Sequence, residues 1–248
     1  MSYAKMAQVY DILMEDAPYD QWLEFTKIMF AKYGREIIDI ADLGCGTGQI
    51  TRRLADSGFN VIGVDNSTDM LTYAEQAADR EKLSIQWVHQ DLRKLDGFNE
   101  LDAVVSFCDV INYIVDIEEV EVVFKNVNQM LKTNGLFIFD VHSINHVEHD
   151  LKGKTFAEIY DDISYVWMCE EGENEGEVFH DLTFFVLDGD HYQRFDERHH
   201  QRTYYEDFYK DLLKRQGFFI HGLYADFSSV KNKSTRDSER LFFVCEKM

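Results

Sequence analysis

Ile37-Ile38-Asp39-Ile40-Ala41-Asp42-Leu43-Gly44-Cys45-Gly46-Thr47-Gly48 is an apolar run that closes on an acid and then on three alternating glycines. An apolar run of this length, ended by a turn, reads as a strand buried on both faces, as in a parallel sheet. That strand stops at Asp42. The glycines let the chain turn sharply and approach a ligand closely, and Gln49 to Ser57 then starts a helix. Val61-Ile62-Gly63-Val64 is a second strand with Asp65 at its carboxyl end. In a doubly wound sheet an acid there, about 20 residues beyond the first glycine, accepts hydrogen bonds from ribose hydroxyls.

Two cofactor classes use this arrangement. A dinucleotide site asks for G-x-G-x-x-G, with the pyrophosphate seated on the helix N-terminus. Here the glycines are Gly44, Gly46 and Gly48, and Asp42 stands just before them. An anion at that turn would be repelled by Asp42, whereas an amino-acid tail carrying an ammonium and a sulfonium would be attracted. S-adenosylmethionine, with S-adenosylhomocysteine as product, is therefore favoured over NAD.

Asp42-Leu43-Gly44-Cys45-Gly46-Thr47-Gly48 also resembles the signature loop of the class I S-adenosylmethionine-dependent methyltransferases, and later segments follow in the expected order. The likeness is to small bacterial stand-alone members with cofactor motifs similar to those of glycine N-methyltransferase. It covers about residues 35 to 141 and 204 to 248. What it implies is an α/β fold: a doubly wound, Rossmann-like seven-stranded sheet, parallel with one antiparallel strand, and an antiparallel β insertion after strand five. The expected organisation is an N-terminal helical lid over 1–34, a core over 35–141 and 203–248, and an insertion over 142–202 that covers the substrate site.

Around that frame, strand and helix segments alternate as a parallel sheet covered on both faces requires. A helix is expected from Pro18 to Tyr33 with Gly34 as its stop, and another from Asp69 to Asp79 capped by Ser67 or Thr68. Strands Ser84 to Val88 and Asp102 to Phe107, helix Ile117 to Lys132 capped by Asp116, and strand Leu136 to Val141 follow. Thr155 to Arg202 alternates polar and bulky residues, with Asp188-Gly189-Asp190 as a hairpin turn. Helix Tyr204 to Gln216 leads to two closing strands, Phe218 to Phe227 and Arg240 to Glu246.

Composition narrows the partners. The chain has 248 residues, 45% of them hydrophobic, and a net charge of −21. Phosphate backbones are held largely by Lys and Arg, so a nucleic-acid substrate is disfavoured and small neutral or cationic molecules fit better. The acid excess serves solubility equally well. Cys45, Cys108, Cys169 and Cys245 show no C-x-x-C spacing, which argues for reduced thiols in the cytoplasm. No apolar run has membrane-spanning length. A soluble monomer or homodimer is expected.

Ligands of open α/β sheets lie beyond the carboxyl ends of the strands. Besides Asp42, Gly44 and Gly46, the residues there are Asp65, Asn66 and Met70, then Gln90, Asp91 and Leu92, then Phe107. The resemblance gives Asp65 to the ribose, Met70 to the adenine face, Asp91 to the adenine amine and Leu92 to its other edge. It also brings Tyr10 near the methionine portion. A cap acid at Asp91 and ordinary core packing at Met70 are the competing readings.

Methyl transfer from a sulfonium is an in-line displacement that needs positioning and exclusion of water more than a strong base or a metal. Residues that could face the methyl group are Asn112 and Tyr113, His142, and Glu197, His199 and Arg202. His142 is the first choice of base, because imidazole titrates near neutrality. His142, His146 and His149 have helical spacing beside Asp150, but a polar face is the default over a zinc site. Pro18 is the only proline, so the proline-bearing elements of adenine-N6 and cytosine-C5 methyltransferases are absent. The function expected is methyl transfer to a nitrogen, oxygen or carbon of a small molecule. The alternatives are a cofactor-binding regulatory module without turnover, a protein or RNA methyltransferase, and, on the glycine loop and Asp65 alone, an NAD-dependent oxidoreductase.

Overall fold

The computed structural model describes residues 17–34, 36–231 and 238–248. Tyr10 and most of the expected lid lie outside the described residues. Helix α1, Tyr19–Tyr33, follows with Trp22, Phe25, Thr26, Met29 and Phe30 on its buried side, the stripe of an amphipathic helix. Pro18 sits at its N-cap and not in its first turn. Gly34 ends it in an extended conformation, donating to the Phe30 carbonyl at 2.8 Å, and a Cβ there would lie 2.7 Å from that same oxygen. Close approach, not left-handed geometry, makes glycine fit.

The core then runs β1 (Asp39–Leu43), α2 (Gln49–Asp56), β2 (Asn60–Asp65), α3 (Thr68–Glu81), β3 (Gln86–His89), β4 (Leu101–Ser106), α4 (Ile117–Met130) and β5 (Leu131–His142). After the insertion come α5 (Glu206–Arg215), β10 (Phe218–Ala225) and β11 (Arg240–Lys247). The seven-stranded sheet has the order β10-β11-β5-β4-β1-β2-β3, and β11 runs antiparallel to both neighbours while the other pairs are parallel. The order reverses between β4 and β1, so the crevice that can take a ligand opens at their carboxyl ends.

Each face of this sheet is buried, which is why its strands read as unbroken apolar runs. Phe137 and Phe139 of β5 join Phe124, Tyr209 and Phe243 on one side; Leu136 and Ile138 join Phe25, Met29, Tyr224 and Phe242 on the other. β5 begins earlier than the sequence suggests and takes the last turn expected of α4. Leu131 pairs with Leu101, and the chain then turns through Asn134 at φ 66° before Leu136 pairs with Ala103.

The insertion is a second, four-stranded antiparallel sheet in sequential order: β6 (Thr155–Ile159), β7 (Ile163–Glu171), β8 (Glu177–Asp188) and β9 (His191–Arg202). Asp188 pairs with His191 across a two-residue turn whose first member, Gly189, has φ 69°. A glycine opening such a turn matches the right-handed twist of the strands it joins.

Candidate active site

At the cofactor end the glycines divide two tasks. Gly44, Gly46 and Gly48 all have positive φ, but a Cβ on Gly44 would lie 2.4 Å from Val110 and one on Gly48 2.7 Å from Trp87, while one on Gly46 would meet nothing within 4 Å. The outer pair are packing positions, and the middle one leaves bare main chain facing open space. Asp65 is tied to this loop. Its Oδ2 accepts the Gly46 N–H at 2.8 Å and its Oδ1 the Ser67 N–H at 2.8 Å. Burial raises its pKa against the pull of those N–H groups. Beneath the loop, Asp42 is 2% exposed and accepts from the Thr51 hydroxyl at 2.6 Å. Burial pushes its carboxyl up to about 7; the Thr51 bond works the other way and the charge of Asp65 adds to the rise.

Several residues expected at the adenine also make contacts within the protein. The Gln90 amide exchanges hydrogen bonds with the Asp96 main chain at 3.0 and 3.1 Å. Asp91 caps the short turn Leu92–Lys94, and its carboxylate takes the fork of Arg93, which holds it below its ordinary pKa. Leu92 is buried in the core cluster of α4 and β5. Phe107, 2% exposed, packs toward Phe242 inside the opposite cluster. Met70 is half-buried in the first turn of α3, where its N–H is capped by Ser67, and Asn66 is exposed with its carbonyl 3.0 Å from His89.

The acceptor end is built on Asp109. Cys108 and Asp109, just past β4, are successive left-handed residues (φ 57° and 53°), a strained pairing for side chains with a Cβ. Asp109 donates its N–H to Asp140 Oδ1 at 2.8 Å, while its carboxylate binds Arg240 at 2.9 Å and Gln201 Nε2 at 2.7 Å and lies 3.5 Å from His142 Nε2. Arg240 also reaches Asp140 Oδ2 at 3.1 Å, and Trp22 Nε1 donates to that oxygen at 2.7 Å. One guanidinium thus lies between two buried carboxylates. Burial alone would raise Asp109, but His142 and Arg240 override it and hold it well below the carboxylate range; Asp140, with fewer donors, is raised by burial.

Strand β9 brings its inward face, Glu197, His199 and Gln201, over this group. Trp167 Nε1 donates to His180 Nδ1 at 3.0 Å, and His180 Nε2 is 3.0 Å from Gln201 Oε1. Tryptophan can only donate, so His180 must present its Nε2–H to Gln201, whose amide then turns its NH2 to Asp109. Burial lowers His180 to about 4 and keeps it neutral. Tyr113 keeps 45% of its surface accessible, yet its ring meets His199 edge-on at 5.8 Å and its hydroxyl is sheltered enough that burial, with Asp109 adding, raises its pKa. His199 Nε2 lies 3.6 Å from Glu197, and burial lowers its pKa.

Arg202 is not part of this group. Two-residue periodicity turns it to the other face of β9, where its guanidinium lies 4.8 Å from the Tyr204 ring centroid. Asn112, 1% exposed, is a tie within the fold, donating to the Arg202 carbonyl at 3.0 Å and accepting the His142 N–H at 2.9 Å. His146 pairs with Asp150 and His149 with the Asn145 carbonyl. Among the described residues no three His, Cys, Asp or Glu side chains are placed to hold a metal ion, and no helix is long and apolar enough to cross a membrane.

Residues 40–135 match the methyltransferase domain family. Over its whole length the chain is 42% identical to YqeM of Bacillus subtilis (strain 168), a protein named as a methyltransferase, and spans 98% of it. The crystal structure of an S-adenosylmethionine-dependent methyltransferase from Clostridium acetobutylicum ATCC 824 matches with a TM-score of 0.89 at 30% identity, over 100% of this chain and 99% of the other. The chain belongs to the class I S-adenosylmethionine-dependent methyltransferases. In fold this methyltransferase is also similar to CalS10 of Micromonospora echinaspora, at TM-score 0.77 and 16% identity over 97% of each chain. S-adenosylmethionine is the methyltransferase's cofactor, and the residues present fit it: bare main chain at Gly46, a carboxylate at Asp65 that would suit a ribose, and a carboxylate at Asp42 that would favour a cationic tail. Bound, the cofactor supplies an electrophilic methyl group on sulfur. Sequence reading placed Asp109 past strand four without giving it a role, and did not single out Asp140, Gln201 or Arg240, although an acid inside the apolar run Leu136–Val141 was a signal for Asp140.

Proposed function

We propose that this methyltransferase acts on a small-molecule acceptor through a nitrogen, oxygen or carbon nucleophile, and that residues 142–202 form the cover of the acceptor site. The observation that carries this is the stitching of β9 onto the carboxyl ends of β4 and β5. Gln201 bonds Asp109, Thr203 Oγ1 bonds the His142 carbonyl at 2.6 Å, and the Arg202 carbonyl takes Asn112. Under that roof the side chains of His142 and Asp109 are 15% and 17% accessible. A small molecule reaches groups so covered more readily than the body of a folded protein or an RNA helix does. CalS10, which shares the fold, is an amino pentose methyltransferase, an acceptor size that suits such a site.

In this reading Asp65 accepts from the ribose, Asp42 faces the cationic tail through the loop, and Met70 and Asn66 border the adenine. His199 replaces His142 as the favoured base. His142 aims Nε2 at Asp109, whereas the Nε2 of His199 has no hydrogen-bond partner within reach among the described residues and burial favours its neutral form. Tyr113 closes the other side of the same space.

The test is partition of label. The purified protein, given S-adenosylmethionine tritiated in the methyl group, is incubated separately with a bacterial metabolite extract, a protein extract and total RNA. Label in the metabolite fraction is the expected result; label in protein or RNA and none in metabolites would overturn the proposal.

A further inference from the structure

Among the carboxylates of the crevice, one differs from the rest in what holds it. Asp42 accepts from Thr51, Asp65 from two main-chain N–H groups, Asp109 from Arg240 and Gln201, and Asp140 from Trp22 and the Asp109 N–H. Glu197 has no hydrogen-bond donor among the described residues. The nearest group is His199 Nε2, at 3.6 Å. Its side chain is 24% accessible and its cross-strand neighbour is Leu182, with Phe195 next along the same face. Burial raises its pKa. A carboxylate partly withdrawn from water is stable when a donor or cation meets it. Arg240, the one guanidinium bonded into the acceptor-end cluster among the described residues, is already shared by Asp109 and Asp140. At that exposure water can meet Glu197 in the open site, so a substrate that displaces this water has to bring the donor or cation itself.

The base beside Glu197 sharpens the point. Even at its ordinary pKa an imidazole takes a proton uphill by about four powers of ten from an alkylammonium and by about nine from a water-like hydroxyl, and the burial that lowers the pKa of His199 steepens both. His199 can therefore serve an amine without help, but not an alcohol. A phenol would be acidic enough, yet its single O–H cannot both meet Glu197 and pass its proton to His199, whereas an ammonium has further N–H groups to spare.

We infer that the methyl acceptor is an amine, held as its ammonium by Glu197 and deprotonated by His199. This rests on the small-molecule reading above. The ammonium passes one proton to His199; the freed nitrogen lone pair forms the new N–C bond as the methyl carbon's bond to sulfur breaks with its electron pair going to sulfur. The products are an N-methylated ammonium, S-adenosylhomocysteine and a protonated His199 that returns its proton to solvent. Leu182 and Phe195 lie where the apolar part of the acceptor would rest.

The labelled small-molecule product from the metabolite extract is isolated and its methyl position read by NMR. In parallel the full-length protein saturated with S-adenosylhomocysteine is titrated with probes of matched skeleton: benzylamine against benzyl alcohol and phenol, and glucosamine against glucose. Methyl on nitrogen, with an amine probe binding more tightly than its oxygen counterparts, is the expected outcome. Glu197→Gln should then weaken the amine by on the order of tenfold or more, Glu197→Asp should recover part of it, and S-adenosylhomocysteine affinity should stay unchanged in both. Methyl on oxygen or carbon, equal binding of amine and alcohol, no binding of either amine, or an E197Q protein indistinguishable from the parent would each overturn the inference while leaving the small-molecule reading standing. Label confined to protein or RNA would instead remove that reading, and the amine with it.

Discussion

Gly46 and Asp65, 19 residues apart in the chain, clasp each other at one end of the crevice; at the other end Asp109 is clasped by Gln201 and Arg240, 92 and 131 residues away. The carboxylates of the cofactor end are satisfied within β1, α2, β2 and the turn after it, by main chain or by a near neighbour. The acceptor end exists only when α1, the insertion and the last strand have all arrived, since Trp22, Gln201 and Arg240 each come from one of them. Within one fold, a local motif builds one end of the crevice and long-range assembly builds the other.

The sharpest way to break that contrast is Arg240→Met. It leaves two buried carboxylates facing each other without their cation, and such a loss costs about 3–5 kcal/mol. Urea unfolding should show it. If the two ends are independent, the folded fraction still binds S-adenosylhomocysteine normally by calorimetry; a parallel loss of cofactor affinity would mean that they are coupled.

Asp65→Asn tests the other end. A hydrogen bond to a charged acceptor contributes about 1.5–3 kcal/mol, so cofactor affinity should fall by about ten- to a hundredfold, with the acceptor-end network unmoved. Paired alanine substitutions in the loop should separate packing from binding. Each places a side chain at positive φ, at about 1–2 kcal/mol, but Gly48→Ala also meets Trp87 and should lower the melting temperature further. Gly46→Ala should fold better than Gly48→Ala yet bind cofactor worse, because its methyl points into the open space a ligand would fill.

Asp42 gives a smaller effect with a defined sign. Folding raises its carboxyl from 3.8 to about 7, so this group's contribution to the stability of the cofactor-free protein is lost as pH rises from about 4 to about 7. A cationic tail alongside favours the ionised form, so cofactor affinity should rise across that window and binding near neutrality should release protons. Calorimetry in buffers of different ionisation enthalpy measures that release, and Asp42→Asn should abolish it. The smallest change expected is Trp167→Phe, which removes one donor to His180, at about 1 kcal/mol. Histidine 15N shifts should show His180 keeping its Nε2–H form, because Gln201, tied to Asp109, still offers it only an acceptor, while S-adenosylhomocysteine binding is unaffected.

Which parts were legible follows from the same contrast. The run Ile37 to Gly48 and the acid at Asp65 carry local signals, and they located the first strands, the loop and the cofactor class. The hairpin at Gly189 was equally local. On the adenine side a short acidic turn looks alike in sequence whether its carboxylate meets a ligand or Arg93. On β9, grouping Arg202 with Glu197 and His199 ignored a rule that was available: residues 197, 199 and 201 share one face and 202 the other. Gln201 was therefore within reach of sequence reasoning. Arg240 was not, since a cation at the start of a strand looks like any exposed end, and only the order of strands in the sheet brings it to Asp109.

The placement of the three tryptophans gives the molecule built-in optical reporters, one for each of its parts. Trp22 lies on α1 against the buried ion pair, Trp87 packs over Gly48 and Gly63 beneath the glycine loop, and Trp167 heads the hydrogen-bonded chain in the insertion. Keeping one indole and changing the other two to phenylalanine would let emission follow arrival of cofactor, docking of the cover sheet and seating of the first helix as separate signals in real time.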